Sequence, residues 1–229
     1  MRIFIGYDSR EPEASRVAIS SLRRISSFQH DIQLLELSRL RTQGLYTRPT
    51  EIRNGDLWDV ISDAPMSTEF AISRFLVPLL SRGAALFVDA DVVFREDPTA
   101  MLKLLSPATA LAVVKHDYTP SSSLKMGGQQ QTKYWRKNWS SVMLFNCEHP
   151  AHQRLTLHDV NTQPGRALHQ FCWIPDDAIA ALDPRWNWLV GEQPEPPGGD
   201  GIAHFTLGGP FTPGWKGGPH DELWNEAAR

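Results

Sequence analysis

Apolar and polar positions along the chain predict alternating strands and helices. Ile3-Phe4-Ile5 is a short unbroken apolar run that ends at Gly6-Tyr7-Asp8, the pattern of a strand buried on both faces. A helix is predicted next, with Pro12 in its first turn, Glu11 and Glu13 at its positive end, and Ala14, Val17, Ala18, Leu22 and Ile25 on one face. Ile32 to Leu37 reads as a second strand, so the first forty or so residues form a strand-helix-strand unit of an α/β protein. Residues 41–67 read as polar and irregular, apart from Leu57, Trp58, Val60 and Ile61. From Thr68 a helical stripe returns (Phe70, Ala71, Phe75, Leu79, Leu80), with Pro78 bending or ending it.

Ala84-Ala85-Leu86-Phe87-Val88 is the strongest predicted strand and runs directly into Asp89-Ala90-Asp91. Asp97-Pro98 reads as a cap and first-turn proline opening a helix through Met101, Leu104 and Leu105. Ala110 to Val114 and Val142 to Phe145 are further buried strands. Between them, Ser121 to Asn138 carries Lys125, Lys133, Arg136 and Lys137 and no acid, interleaved with Tyr134 and Trp135 and followed by Trp139. Such a mixture suits a diphosphate, a sugar acceptor, single-stranded nucleic acid, or a solvated loop. Asp176-Asp177 reads as a helix start, Trp186 and Trp188 as core, Gln193 to Gly201 as a loop, and Gly208 to Pro219 as too glycine-rich for helix or sheet.

Composition narrows the class. The chain has 229 residues, 41% hydrophobic and 21% charged, which excludes a disordered, collagen-like or coiled-coil protein. One domain over 1–229 is expected, with a nucleotide-binding half over about 1–118 and a substrate half over about 119–229. A net charge of −3 gives no global attraction to nucleic acid or anionic membrane. Cys147 and Cys172 match no disulfide framework or zinc spacing and read as reduced core residues. With no signal-type apolar stretch and no run long enough to span a membrane, a soluble, cytoplasmic protein is expected.

The candidate chemistry lies at Asp89 and Asp91. In open α/β sheets ligands sit beyond the carboxyl ends of the strands. Two carboxylates one residue apart at such an end converge on a hard cation, or one takes the cation and the other a substrate hydroxyl. Taken alone, the pair also fits one aspartate capping the turn and the other solvated. The glycines Gly208, Gly209, Gly214, Gly217 and Gly218 let backbone N–H groups approach phosphate oxygens, in a segment anchored by Phe205, Phe211 and Trp215.

In this order along the chain, several segments resemble glycosyltransferase family 8, enzymes of the GT-A fold that use nucleotide sugars with retention. They are the first strand with Tyr7 and Asp8, Arg74-Phe75-Leu76-Val77-Pro78-Leu79-Leu80, Phe87-Val88-Asp89-Ala90-Asp91, Ser140-Ser141-Val142-Met143-Leu144-Phe145-Asn146, Leu182-Asp183-Pro184-Arg185-Trp186-Asn187, and His204-Phe205. The resemblance implies an α/β, Rossmann-like mixed sheet flanked by helices, and Asp89, Asp91 and His204 as ligands of Mn²⁺ or Mg²⁺. Imidazole beside carboxylates favours Mn²⁺. It further implies a nucleotide-sugar donor, UDP-linked, bound by Tyr7, Asp8, Arg74, Ala90 and Ser140. Where the family carries an Asp-Gln-Asp segment this chain has Leu168-His169-Gln170, which makes His169 and Gln170 the candidates to stabilise the transition state beside Asp89 and Asp91. Where the family has a diphosphate lysine this chain has Leu207-Gly208-Gly209-Pro210-Phe211, leaving Lys216 or Lys125, with Gly208 and Gly209, to hold the diphosphate. The acceptor stays open among a glycan, a lipid-linked sugar, a protein, a small molecule and a modified nucleobase.

Two other classes fit part of the pattern. Asp89-Ala90-Asp91-Val92-Val93 also matches the nucleophile motif of haloacid-dehalogenase-type phosphatases, with Asp176-Asp177 as a later acidic motif. A non-catalytic sugar-nucleotide or glycan-binding module on the same fold is the other.

Overall fold

The computed structural model describes residues 1–116, 136 and 138–229. Its strands are β1 (Arg2–Gly6), β2 (Asp31–Leu35), β3 (Thr50–Arg53), β4 (Asp56–Asp59), β5 (Ala64–Pro65), β6 (Ala84–Val88), β7 (Val92–Phe94), β8 (Leu111–Val113), β9 (Val142–Asn146), β10 (Ile179–Ala181), β11 (Trp188–Leu189) and β12 (Ile202–His204). Its α-helices are α1 (Pro12–Ile25), α2 (Leu37–Thr42), α3 (Val77–Leu80), α4 (Leu157–Thr162), α5 (Gly165–His169) and α6 (Asp221–Ala228).

The central sheet has six strands in the order β10-β8-β9-β6-β1-β2. All run parallel except β9, which is antiparallel to both β8 and β6. Alternate residues supply two cores, one on each face: Phe4, Phe87, Val113 and Phe145 on one side, Ile3, Ile5, Leu86, Val88 and Leu144 on the other. Burial on both faces is why these strands read as continuous apolar runs rather than alternating ones. The parallel arrangement brings the carboxyl ends of β1, β6 and β8 to one edge, beside the start of β9. Trp186 and Trp188 are buried, as expected.

Several local expectations are corrected. Residues 41–67 are not irregular: β3, β4 and β5 form a small antiparallel sheet. Its β3–β4 turn is Asn54-Gly55 with φ of 54° and 89°, the left-handed pair that a two-residue hairpin requires. From Thr68 the chain makes turns and then a 3₁₀ segment, Ser73–Leu76, before α3. Pro78 lies in the first turn of α3, because its ring excludes a continuous helix through residue 74. Asp97 caps as expected, accepting from Thr99 N at 2.9 Å, but it opens a 3₁₀ segment, Pro98–Leu104, in place of an α-helix. Asp176 and Asp177 begin a single 3₁₀ turn that feeds β10, not a helix. Cys147 is part-buried and Cys172 is exposed, so only the first approaches the expected core position.

Candidate active site

Strand β6 delivers Asp89 and Asp91 to the carboxyl edge of the sheet. Ala90 between them is buried, which leaves the flanking carboxylates part-exposed. The chain then enters β7, and β7 pairs antiparallel with β12 so that Val92 lies opposite His204. Phe205 N donates to the Asp91 carbonyl at 2.9 Å and closes the register. Residues more than a hundred positions apart thereby meet: His204 Nε2 is 3.4 Å from Asp91 Oδ1 and 3.9 Å from Asp89 Oδ2. One ligand atom from each of the three lies within 4.8 Å of the others.

The imidazole is oriented from behind. His204 Nδ1 donates to Asn187 Oδ1 at 2.9 Å, and Asn187 Nδ2 donates to the Asn138 carbonyl at 3.1 Å, which fixes which way the amide faces. With Nδ1 engaged in this way, the ring turns Nε2 toward the carboxylates. A histidine held this way by a buried hydrogen-bond partner is the usual arrangement of a metal ligand. Two carboxylates and one imidazole nitrogen fit a divalent cation such as Mn²⁺.

Arg74 braces Asp89. Its Nη1 donates to Asp89 Oδ1 at 2.7 Å and to the Ser140 carbonyl at 2.8 Å. The guanidinium lies between the Phe70 and Phe87 rings, 5.3 and 5.0 Å from their centroids. Phe70 reaches this place because Gly6 leaves room for it: a Cβ at Gly6 would stand 2.5 Å from the ring. Ser140 also hydrogen-bonds through Oγ to His169 Nδ1 at 2.8 Å. His169 meets Phe75 edge-on at 5.0 Å, and burial, with the Arg74 charge, lowers its pKa to about 3. Arg74, Asp89, Ser140 and His169 are thus brought together; the Gln170 backbone carbonyl accepts from Arg136 Nη1 at 2.6 Å, and no bond joins Gln170 to the four among the described residues.

The remaining expected residues are dispersed around this centre. Tyr7 is part-buried at the end of β1, and Asp8 is buried beside it. The N–H of Gly208 donates to the Phe205 carbonyl at 2.9 Å and that of Gly209 to Thr212 Oγ1 at 3.2 Å. Both donors expected to meet a phosphate are therefore engaged within the segment itself. The aromatic anchors are in place: Phe205 and Phe211 pack on Trp224 at 5.3 and 4.5 Å, and Trp215 Nε1 donates to Asp221 Oδ2 at 2.8 Å. Lys216 is exposed. Lys125, together with Lys133, Tyr134, Trp135 and Lys137, lies outside the described residues. Of the basic stretch, Arg136 is committed to Gln170 and, at 2.5 Å, to Asp176. That pairing occupies the would-be acidic motif of a phosphatase, and neither Asp176 nor Asp177 is in the group with Asp89.

One residue of the site, Asn187, carries a role that the sequence pattern does not assign. Asn187 stands in the sequence only as half of a Trp-Asn pair, and its role needs the pairing of β11 with β12. The Asp8 carboxylate is taken up by Arg10, whose Nε and Nη2 donate to it at 2.9 and 2.6 Å, an opposite charge two residues beyond Asp8 at a strand end.

The depressed pKa of His169 makes stability pH-dependent. The unfolded histidine takes up its proton near pH 6.5 while the folded one stays neutral to about pH 3, so the unfolded state binds more protons between these values. Stability therefore falls as pH drops below 6.5, by up to about 1.4 kcal/mol per pH unit for such a group. His169→Gln is expected to show a smaller fall in Tm between pH 6.5 and 4.5 than the native chain, read by thermal melts in matched buffers. Parallel curves would remove His169 as the cause.

The fold is that of the GT-A glycosyltransferases. The galactosyltransferase LgtC, solved with donor and acceptor sugar analogs, aligns with 100% of this chain and 95% of its own at a TM-score of 0.58 and 13% identity. A glycosyltransferase involved in the glycosylation of the major capsid of PBCV-1 aligns at a TM-score of 0.52, 13% identity, covering 100% of this chain and 98% of its own. GlyE of Streptococcus pneumoniae TIGR4 aligns with 99% of this chain at a TM-score of 0.54 and 15% identity, and the chain spans 60% of GlyE. No family model matches the sequence. The chain is 40% identical to Protein CDI of Arabidopsis thaliana over 229 aligned positions, covering 97% of this chain and 84% of that protein, and it belongs to the Protein CDI family. Among the described residues no helix is long and apolar enough to cross a membrane.

Proposed function

We propose that this chain transfers a glycosyl group from a UDP-linked sugar to a hydroxyl acceptor, with retention of configuration as in glycosyltransferase family 8. The observation that carries this reading is the convergence of Asp89, Asp91 and His204 at the carboxyl edge of a GT-A sheet, with Nε2 of His204 turned toward both carboxylates. These three residues would hold a divalent cation, Mn²⁺, which when bound supplies the Lewis acidity that neutralises a departing diphosphate. Arg74 keeps Asp89 in position, and Tyr7, Asp8, Ala90 and Ser140 line the route along the strand ends for the donor. Lys216, with Lys125, supplies cationic charge for the diphosphate. His169, neutral at working pH, and Gln170 face the anomeric region and accommodate the positive charge that develops there. The reading takes residues 1–118 as the nucleotide half and 119–229 as the sugar and acceptor half of one domain. It places the protein in the cytoplasm, in keeping with two unpaired cysteines.

Calorimetric titration of UDP with and without Mn²⁺, followed by UDP-sugars with product detection, tests the reading. Mn²⁺-dependent UDP binding and turnover of a UDP-sugar are expected. Silence toward UDP, GDP and other nucleoside diphosphates would overturn it, and binding without turnover on long incubation would assign a non-catalytic module instead.

A further inference from the structure

His116 follows β8 at the carboxyl edge of the sheet, and a circuit of hydrogen bonds ties it to His204 from two sides. On one side, His204 Nδ1 bonds Asn187 Oδ1 at 2.9 Å, and Asn187 Nδ2 donates to the Asn138 carbonyl at 3.1 Å. The next residue, Trp139, donates through Nε1 to the His116 carbonyl at 3.0 Å. On the other side, His116 Nδ1 meets Gln193 Nε2 at 3.3 Å, and Gln193 N donates to the Leu189 carbonyl at 3.0 Å. Leu189 lies opposite His204 in the pairing of β11 with β12, which completes the circuit. Trp188 Nε1 holds the turn between them by donating to the Gln193 carbonyl at 3.0 Å.

This second imidazole is incomplete. His116 is 8% exposed, and its Nε2 has no hydrogen-bond partner among the described residues. Gln193 presents its amide nitrogen, which has no lone pair to share, so Nδ1 accepts and the proton sits on Nε2. Burial, and after it the nearby charge of His204, lower the His116 pKa to about 4. The ring is neutral at working pH and brings one N–H donor without a charge. A buried N–H is costly to leave unpaired, and one in a folded protein points to a partner that binds there. His116 is not among the three residues whose ligand atoms lie within 4.8 Å of one another, and a protonated Nε2 has no lone pair for a cation. Beside two carboxylates and an imidazole that hold a cation for a diphosphate, the missing acceptor is an oxyanion.

We propose that His116 is a binding residue for the donor, giving a hydrogen bond from Nε2 to a non-bridging oxygen of the cation-bound diphosphate. This rests on the nucleotide-sugar reading above. It adds a neutral, preorganised donor at the end of β8, the strand next but one to β6, with Gln193 and Trp139 holding the ring and the backbone that carries it.

The test is calorimetry of UDP and of inorganic pyrophosphate with Mn²⁺ present, beside direct Mn²⁺ titration, on three variants that differ in which ring nitrogen they replace. His116→Gln places an amide N–H near Nε2 and should bind both probes within roughly threefold of the native chain. His116→Asn keeps a polar group toward Gln193 but does not reach the place of Nε2, and His116→Leu keeps neither. Both are expected to weaken UDP and pyrophosphate alike by about tenfold to a hundredfold, the loss of a hydrogen bond to a charged acceptor. Mn²⁺ affinity without either probe should stay native in all three, and His116→Asn carries the comparison if His116→Leu does not fold. Losses in His116→Gln with native binding in His116→Asn would overturn the proposal, by leaving only the Gln193 contact at work. A matching loss of Mn²⁺ affinity would overturn it too, by placing the effect on His204, and so would a loss for UDP with pyrophosphate unchanged, by placing His116 on the nucleoside. A native chain that binds neither probe defeats the nucleotide-sugar reading and this proposal with it. Binding of both probes with no effect of any variant defeats this proposal alone.

Discussion

His204→Ala lowers Mn²⁺-dependent UDP affinity to the level measured with chelator, and Asp91→Asn does the same, while both variants melt close to the native temperature. The expectation comes from how the three donors are assembled. Asp89 and Asp91 are part-exposed and tolerate the loss of a neighbour, but His204 is the nitrogen donor, 2% exposed, and its tautomer is set by Asn187. Replacing a residue that only orients a metal ligand costs about tenfold to a hundredfold in metal affinity. Removing the ligand costs more. Asn187→Leu supplies the graded control, with a loss inside that range, because it takes the acceptor from Nδ1–H and leaves Nε2 undirected. Direct Mn²⁺ titration followed by electron paramagnetic resonance reads the same order without any turnover. Native Mn²⁺ and UDP affinity in His204→Ala would remove the metal assignment; full turnover in Asp91→Asn would do so as well.

The second large effect is on stability. Arg48→Met is expected to cost about 3–5 kcal/mol, the usual consequence of leaving one member of a buried ion pair alone. Arg48 and Asp59 are each 1% exposed and meet through two bonds of 2.6 Å. The same guanidinium donates to the Val160 and Gln163 carbonyls and to Ser62 Oγ, tying the small sheet to α4. Ser62 Oγ in turn accepts from Gly165 N at 2.8 Å, at the start of the helix that ends at His169. For a domain of this size each kcal/mol shifts Tm by about 2–4 °C, so a fall of about 10 °C is expected. The double variant Arg48→Met/Asp59→Leu should recover part of it, since no unpaired charge remains, while the Val160 and Gln163 carbonyls still lack their donor. A loss below about 1 kcal/mol in the single variant would mean that water reaches Asp59. Because the bond network continues to α5, the single variant should also lose activity beyond its loss of folded protein.

Much of the fold is legible in the chain. Continuous apolar runs at residues 3–5, 84–88, 110–114 and 142–145 mark strands buried on both faces, and each is a strand of the central sheet. The period of α1 and the Asp97 cap are local and equally readable. The hairpin at Asn54-Gly55 carries its turn signal openly, but its flanking strands are too polar to announce themselves. Local pattern fails where two tendencies compete: Pro78 against the stripe from Thr68, and the acidic start at Asp176 against the pairing of β10 with β8.

The chemical inventory is written in one dimension: two aspartates at the end of the strongest strand, with a spacing that sends both carboxylates to one side. A strand end and a two-residue period are local properties, so the order of residues is enough to show them. Which groups meet is settled by the folded arrangement. The pairing of β7 with β12 brings His204 to Asp91, the buried Asn187 selects its tautomer, and the turn after β1 fills Asp8 with Arg10's donors. Each of these is a contact whose energy is gained only when distant segments close on one another and exclude water. A short-range pattern does not encode it.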